Sequence, residues 1–130
     1  AMRRILSDFG AVVREELARA GVGERAEAII RASFAPVSFR PETISAWMTF
    51  YVLAQRNPEA LRLWRVYHRR LRSNLVHALR PDCADPRAAA MTLSALIDGL
   101  YIRAALNHPD TPEAAVDHAL GVLAMLRRAP

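Results

Sequence analysis

Apolar side chains recur along this chain at intervals of three and four residues, the spacing of a helix buried along one stripe. Pro36, Pro41, Pro58, Pro81, Pro86, Pro109 and Pro112 fall between the periodic segments and none within one. That is the distribution expected of a residue excluded from helix interiors. The pattern predicts an all-α chain of six helices, at about 2–20, 24–34, 41–57, 58–80, 87–106 and 112–128. The first stripes Ile5, Leu6, Phe9, Val12, Val13 and Leu17, and stops at Gly21 and Gly23. It starts without a cap, as a helix continuing something upstream would. The second stripes Ala26, Ile29, Ile30, Ser33 and Phe34.

The third, PETISAWMTFYVLAQRN, is apolar nearly all round, and a helix with no polar face is expected at the centre of a bundle. The fourth is amphipathic: Leu61, Trp64, Tyr67, His68, Leu71, Leu75 and Ala78 share one face, and Arg62, Arg65, Arg69, Arg72 and Arg80 the other. The loop PDCADP follows. Thr111 has the character of an N-cap, with Pro112 in the first turn after it. The fifth and sixth helices together carry more apolar surface than one small bundle needs, a mark of an interface.

Composition narrows this picture modestly. One domain of 130 residues can build a core without staples. The single Cys83 permits no internal disulfide, and with no signal-peptide pattern the cytoplasm is the expected location. No apolar run is read as reaching the roughly 18 residues of a transmembrane helix, so no membrane is expected. The net charge is +5, and all 18 cations are arginine. Guanidinium suits phosphate and carboxylate partners; a GC-rich coding sequence accounts for the same bias.

The stretch FRPETISAWMTFYVLAQRNPEALRLWRVYHRRLRSNLVHAL, followed by ALIDGLYIRAAL, resembles the C-terminal domain of TetR-type transcriptional repressors. It is most similar to the choline-responsive, BetI-like repressors of the glycine-betaine regulon. AWMTFY (46–51), RRLRSNL (69–75) and LIDGLYIRAAL (96–106) carry the likeness. The resemblance implies an effector-binding and dimerisation domain preceded by a three-helix DNA-reading helix-turn-helix. Nothing in this chain has that pattern, so operator DNA is expected to be read only by a segment upstream of Met2. It also implies a homodimer, the fifth and sixth helices pairing with their copies as a four-helix bundle.

SALIDGLYIRAAL (94–106) sets Asp98, Gly99 and Arg103 in an apolar helix. A buried charge needs compensation, and an interior glycine costs roughly 1 kcal/mol relative to alanine. At the helical period Asp98 and Arg103 point roughly 140° apart, so they are no intrahelical pair. Asp98 is expected to look into its own domain. Gly99, with Thr92, Leu96 and Arg103, is expected at the dimer seam, joined there by Leu100, Val116, Leu120 and Leu123.

Trp47, Phe50, Tyr51, Trp64, Tyr67, His68 and Tyr101 are expected around Asp98. Aromatic faces attract cations, and quaternary ammonium groups are usual guests of such cages. A choline-like cation suits that chemistry, as the resemblance implies separately. Two roles stay open for Asp98: anchor of a ligand, or structural partner of Asn74, Ser73, Arg70 or His68. The aromatics are equally readable as core.

His68, His77, His108 and His118 have no metal-type spacing, and Ser73, Ser94 and Cys83 sit in no nucleophile motif. Neither an enzyme, a metal nor a cofactor is expected. The arginine row of the fourth helix is readable as a solvated face or as a track for phosphates. The rival function is a free-standing helical scaffold whose basic face binds acidic partners.

Overall fold

Four of the six helices begin on proline, whose fixed φ and missing N–H suit the first helical position. The computed structural model describes residues 2–21, 23–106 and 111–128. It contains α1 (Met2–Arg19), α2 (Arg25–Ser33), α3 (Pro41–Ala54), α4 (Pro58–Leu79), α5 (Pro86–Leu106) and α6 (Pro112–Arg128), with no strand among the described residues. Side chains just before three of those prolines satisfy the orphan amides of the first turn. Asn57 accepts from the Glu59 and Ala60 N–H groups at 2.9 and 3.1 Å, Asp85 from Ala88 at 3.1 Å, and Thr111 from Ala114 at 3.1 Å. His108 and Pro109 lie outside the described residues.

Helix α3 is shorter than the expected 41–57. Asn57, as the cap of α4, takes an extended conformation (φ −110°, ψ 115°), so α3 stops at Ala54. Nor is α3 central. Ile44, Trp47, Phe50 and Ala54 are buried, but Val52 and Leu53 are 63% and 49% exposed. The innermost element is the short α2, with six of its nine residues buried between α1, α4 and α6. Around it α4 packs on α5 and α3, and α6 on α5.

Ile29, Ile30, Phe34, Leu75, Leu79, Leu93 and Leu123 form the sealed centre. Each such side chain contributes about 1.5–3 kcal/mol of burial. Phe34, Phe39 and Tyr101 meet edge-to-face, with ring centroids 5.5–5.8 Å apart. The Tyr101 hydroxyl donates to the Ser33 carbonyl.

No apolar run is expected to reach the roughly 18 residues of a span; α5, although interrupted by Asp98 and Arg103, is long and apolar enough by length and composition to cross a membrane. One face of it, with Leu93, Ile97 and Tyr101, lies in the core.

A guanidinium clamp closes the far end of the bundle. Arg127 near the end of α6 donates to both carboxylate oxygens of Glu27 on α2, at 2.6 and 3.1 Å, and to the Gly23 carbonyl at 3.3 Å. Its Nε lies 2.7 Å from Asp82 Oδ2 in the α4–α5 loop, an ion pair whose N–H is not aligned as a hydrogen bond. The Arg127 bond holds the Glu27 carboxyl below its ordinary value, against the opposing effect of burial.

Candidate functional site

Asp98 lies in the middle of α5, where α3 and α4 both pack against that helix. Its two oxygens face different neighbours. The Tyr51 hydroxyl on α3 donates to Oδ1 at 3.1 Å, and His68 Nε2 on α4 lies 3.5 Å from Oδ2, within ion-pair distance but not hydrogen-bonded. Of the structural partners weighed from the sequence, His68 is the one that meets Asp98; Asn74, Ser73 and Arg70 form neither a hydrogen bond nor an ion pair with it among the described residues. Tyr51 was expected near Asp98 as an aromatic wall. The structure adds its role as hydroxyl donor.

Burial sets the electrostatics of this trio. Desolvation pushes the Asp98 carboxyl above its ordinary value, although His68 and the Tyr51 bond both favour the anion. Desolvation pushes the His68 imidazole below 6.5, and the nearby Arg72 charge adds to that, while Asp98 opposes it. Tyr51 is held protonated by burial first, then by the Asp98 charge and the bond to it. Burial thus favours the uncharged imidazole beside Asp98, and no arginine pairs with Asp98 among the described residues.

Asp98 opens onto a groove of about 390 Å³ lined by Tyr51, Ala54, Gln55, Leu61, Trp64 and Ile102. Ile102 and Leu61 join the groove beyond the residues expected around Asp98. The signal was their helical spacing, one turn from Asp98 and Trp64. The Trp64 ring stacks on His68, with centroids 3.9 Å apart and planes at 36°. Trp47 stands behind, 3% exposed, with its ring 5.8 Å from Tyr51 and 4.9 Å from Tyr67. Phe50 is core and packs edge-on to Trp47. Tyr101 shares the helix of Asp98, but its ring and hydroxyl serve the core beneath.

Tyr67 faces a second cavity, of about 550 Å³, between α1 and α4 with Ile29 at its base. Leu6, Phe9, Val13 and Leu17 give it an apolar wall, with Arg3, Arg14 and Arg70 among its polar residues. The apolar stripe of α1 is legible in the sequence; that it meets α4 through the Phe9–Tyr67 ring pair, 5.8 Å between centroids, and leaves a cavity beside it is not.

Among the residues expected at a dimer seam, Thr92 and Arg103 are exposed, and Leu96, Gly99, Leu100, Val116 and Leu120 are half-buried. Leu123 is a correction: it is 1% exposed, sealed in this chain's own core, and has no surface to offer a partner. A Cβ at Gly99 would meet nothing within 4 Å. No close approach among the described residues therefore requires glycine there. Met91, Ile102, Leu106 and Met125 stand 41–77% exposed on α5 and α6.

Comparison with a family model and with curated proteins points to one family. Residues 22–128 match the family described as BetI-type transcriptional repressor, C-terminal. The HTH-type transcriptional regulator BetI of Brucella canis is 45% identical over 122 residues, which cover 92% of this chain and 61% of that protein. The protein of the same description from Rhizobium meliloti is 49% identical over 96 residues, covering 72% of this chain and 47% of its own length. The chain thus spans under two thirds of the curated relatives it matches. A crystal structure of a transcriptional regulator from Pseudomonas aeruginosa PAO1 superposes with a TM-score of 0.80 at 26% identity, over 95% of this chain and 65% of that one. A regulator from Rhodococcus sp. Rha1, 21% identical, shares the fold with a TM-score of 0.78, over 99% of this chain and 72% of its own. These relatives are regulators of transcription, not enzymes.

Proposed function

Because this chain belongs to the BetI-type transcriptional repressor C-terminal family, within the TetR-type regulators, we propose that it senses a small organic cation of the choline class beside Asp98 and pairs with a second copy through α5 and α6. The observation that carries the first half is Asp98 itself. It is a half-buried acid without a guanidinium partner among the described residues, opening between Tyr51 and Trp64 onto an otherwise largely apolar groove. A trimethylammonium group needs no hydrogen-bond donors opposite it, only an anion and aromatic faces worth roughly 0.5–2 kcal/mol each.

The unpartnered apolar side chains of α5 and α6 support the second half, with Leu96, Gly99, Leu100, Val116 and Leu120 as the seam. In the longer, cytoplasmic regulator, operator DNA is read by a helix-turn-helix upstream of α1, and the effector acts by favouring one spacing of two such heads. It shifts that balance only by its differential affinity for the two states.

The test is a choline titration of the Trp47 and Trp64 fluorescence, with glycine betaine and a neutral isostere as controls. Saturable quenching by choline, lost in Asp98→Asn while the fold and dimer persist, is the expected result. Equal affinity in Asp98→Asn, or preference for the neutral isostere, refutes the cation reading.

A further inference from the structure

We propose that the groove between α4 and α5 is a second ligand site, one that takes a nucleoside phosphate: phosphates on its arginines, a flat ring on Trp64. The groove encloses about 710 Å³. Arg65, Arg69 and Arg72 line it from α4, Arg80 from the C-cap of that helix and Arg87 from α5, and among the described residues no aspartate or glutamate lines it.

The same fold shows what an arginine looks like when it serves the structure. Arg127 reaches two carboxylates and a carbonyl. The five groove arginines form no ion pair among the described residues. A face meant only for solubility intersperses both signs. Like charges one turn apart cost stability, and here they converge from two helices into one concavity. That cost is offset when a polyanion fills it. Guanidinium forks match phosphate oxygens in pairs, with geometry that an ammonium lacks.

Ring recognition comes from the other end. Trp64 and His68 both line the groove, and their stacked rings form a platform on which a base can lie. From Trp64 to Arg80 the helix rises about 24 Å, enough for a base and sugar followed by a run of phosphates. Two sources present this chemistry, a free nucleotide and the end of a single-stranded nucleic acid.

Isothermal titration of the purified chain at low salt with ATP, adenosine, inorganic tripolyphosphate and a short oligothymidylate separates the possibilities. ATP is expected to bind once per chain, tripolyphosphate about tenfold more weakly, and adenosine not measurably. Arg69→Ala/Arg72→Ala is expected to weaken ATP about tenfold or more, and Trp64→Ala to bring ATP down to the tripolyphosphate level. Arg62→Ala, on the same helix but outside the groove, leaves affinity unchanged. All these positions are at least partly exposed, and circular dichroism checks that each variant folds. Oligothymidylate binding tighter than ATP, with the same variant pattern, assigns the source to a nucleic-acid strand; weaker binding assigns it to the free nucleotide. No heat with any phosphate at millimolar concentration overturns the proposal. So does an Arg62→Ala loss as large as that of the groove pair, or tripolyphosphate binding as tightly as ATP.

Discussion

Replacing Arg127 by alanine tests whether the end of the chain is held by charge. Arg127 and Glu27 are 22% and 20% exposed at the side chain, so both give up most of their water to meet. A charge-assisted hydrogen bond in that setting contributes about 1.5–3 kcal/mol, and removing one partner strands the other. Asp82 is 40% exposed and adds little. The expected loss in Arg127→Ala is therefore about 3 kcal/mol, measured by urea unfolding at one protomer concentration near neutral pH.

The pH dependence identifies the cause. The Glu27 carboxyl is held below its ordinary 4.5 in the folded state, by the Arg127 bond first. Its contribution is complete above 4.5 and is lost as pH falls through the lowered folded value. The gap between wild type and variant should therefore narrow steadily in acid. A double-mutant cycle with Glu27→Gln should return a coupling of about 1 kcal/mol or more. A gap unchanged from neutral pH to about pH 3, or strictly additive losses, would refute the electrostatic account and leave only the packing of the Arg127 stem.

Tyr101→Phe keeps the edge-to-face ring cluster but strands the Ser33 carbonyl; it should cost about 1–2 kcal/mol in the same unfolding assay without altering the helical circular dichroism. Gly99→Ala should raise helix stability by about 0.5–1 kcal/mol in the single chain, where the Cβ has free space, yet weaken self-association in sedimentation equilibrium if the partner approaches there; unchanged association removes Gly99 from the seam. Choline affinity should fall as pH drops through the raised Asp98 value, so the loss begins at a higher pH than an ordinary carboxylate would give; a flat profile down to about pH 4 argues against the anion as anchor.

The helices were legible because the signals that set them are local. Proline at the first turn and Asn57, Asp85 or Thr111 before it define three starts within four residues of sequence. The same local signal, read at Asn57, also explains why α3 ends early. What was not legible was which side of an all-apolar helix the rest of the chain would cover. Periodicity could not distinguish Val52 and Leu53 from Ile44 and Phe50, because all are apolar.

The site divides in the same way. Asp98 announced itself as an acid needing an explanation, and the aromatics as candidates to surround it. Tyr51 as its hydrogen-bond donor depends on the rotation of α3 against α5, across 47 residues of chain. The Arg127 clamp joins residues 100 apart, with no pattern in either segment to suggest the other. Leu123 was misplaced because a stripe identifies an apolar face without saying whose core it enters.

The clamp also divides the molecule mechanically. By tying the end of α6 to the start of α2 and to the α4–α5 loop, it makes α2–α6 a closed ring, and α1 is the element left outside. Helix α1 leans on α2 and α3, meets α4 through the Phe9–Tyr67 ring pair (centroids 5.8 Å apart) beside the 550 Å³ cavity, and joins the ring near Gly23, whose φ of 86° only glycine adopts readily. Its 18 residues form a rod about 27 Å long. Pivoting that rod by about 10° at its C-terminal end would carry its first turn through about 5 Å, a displacement that spin labels at Ser7 and Arg62 would read directly. The ring could stay rigid throughout, and a small change in how full the cavity is would emerge, geared up, at the opposite end of the lever.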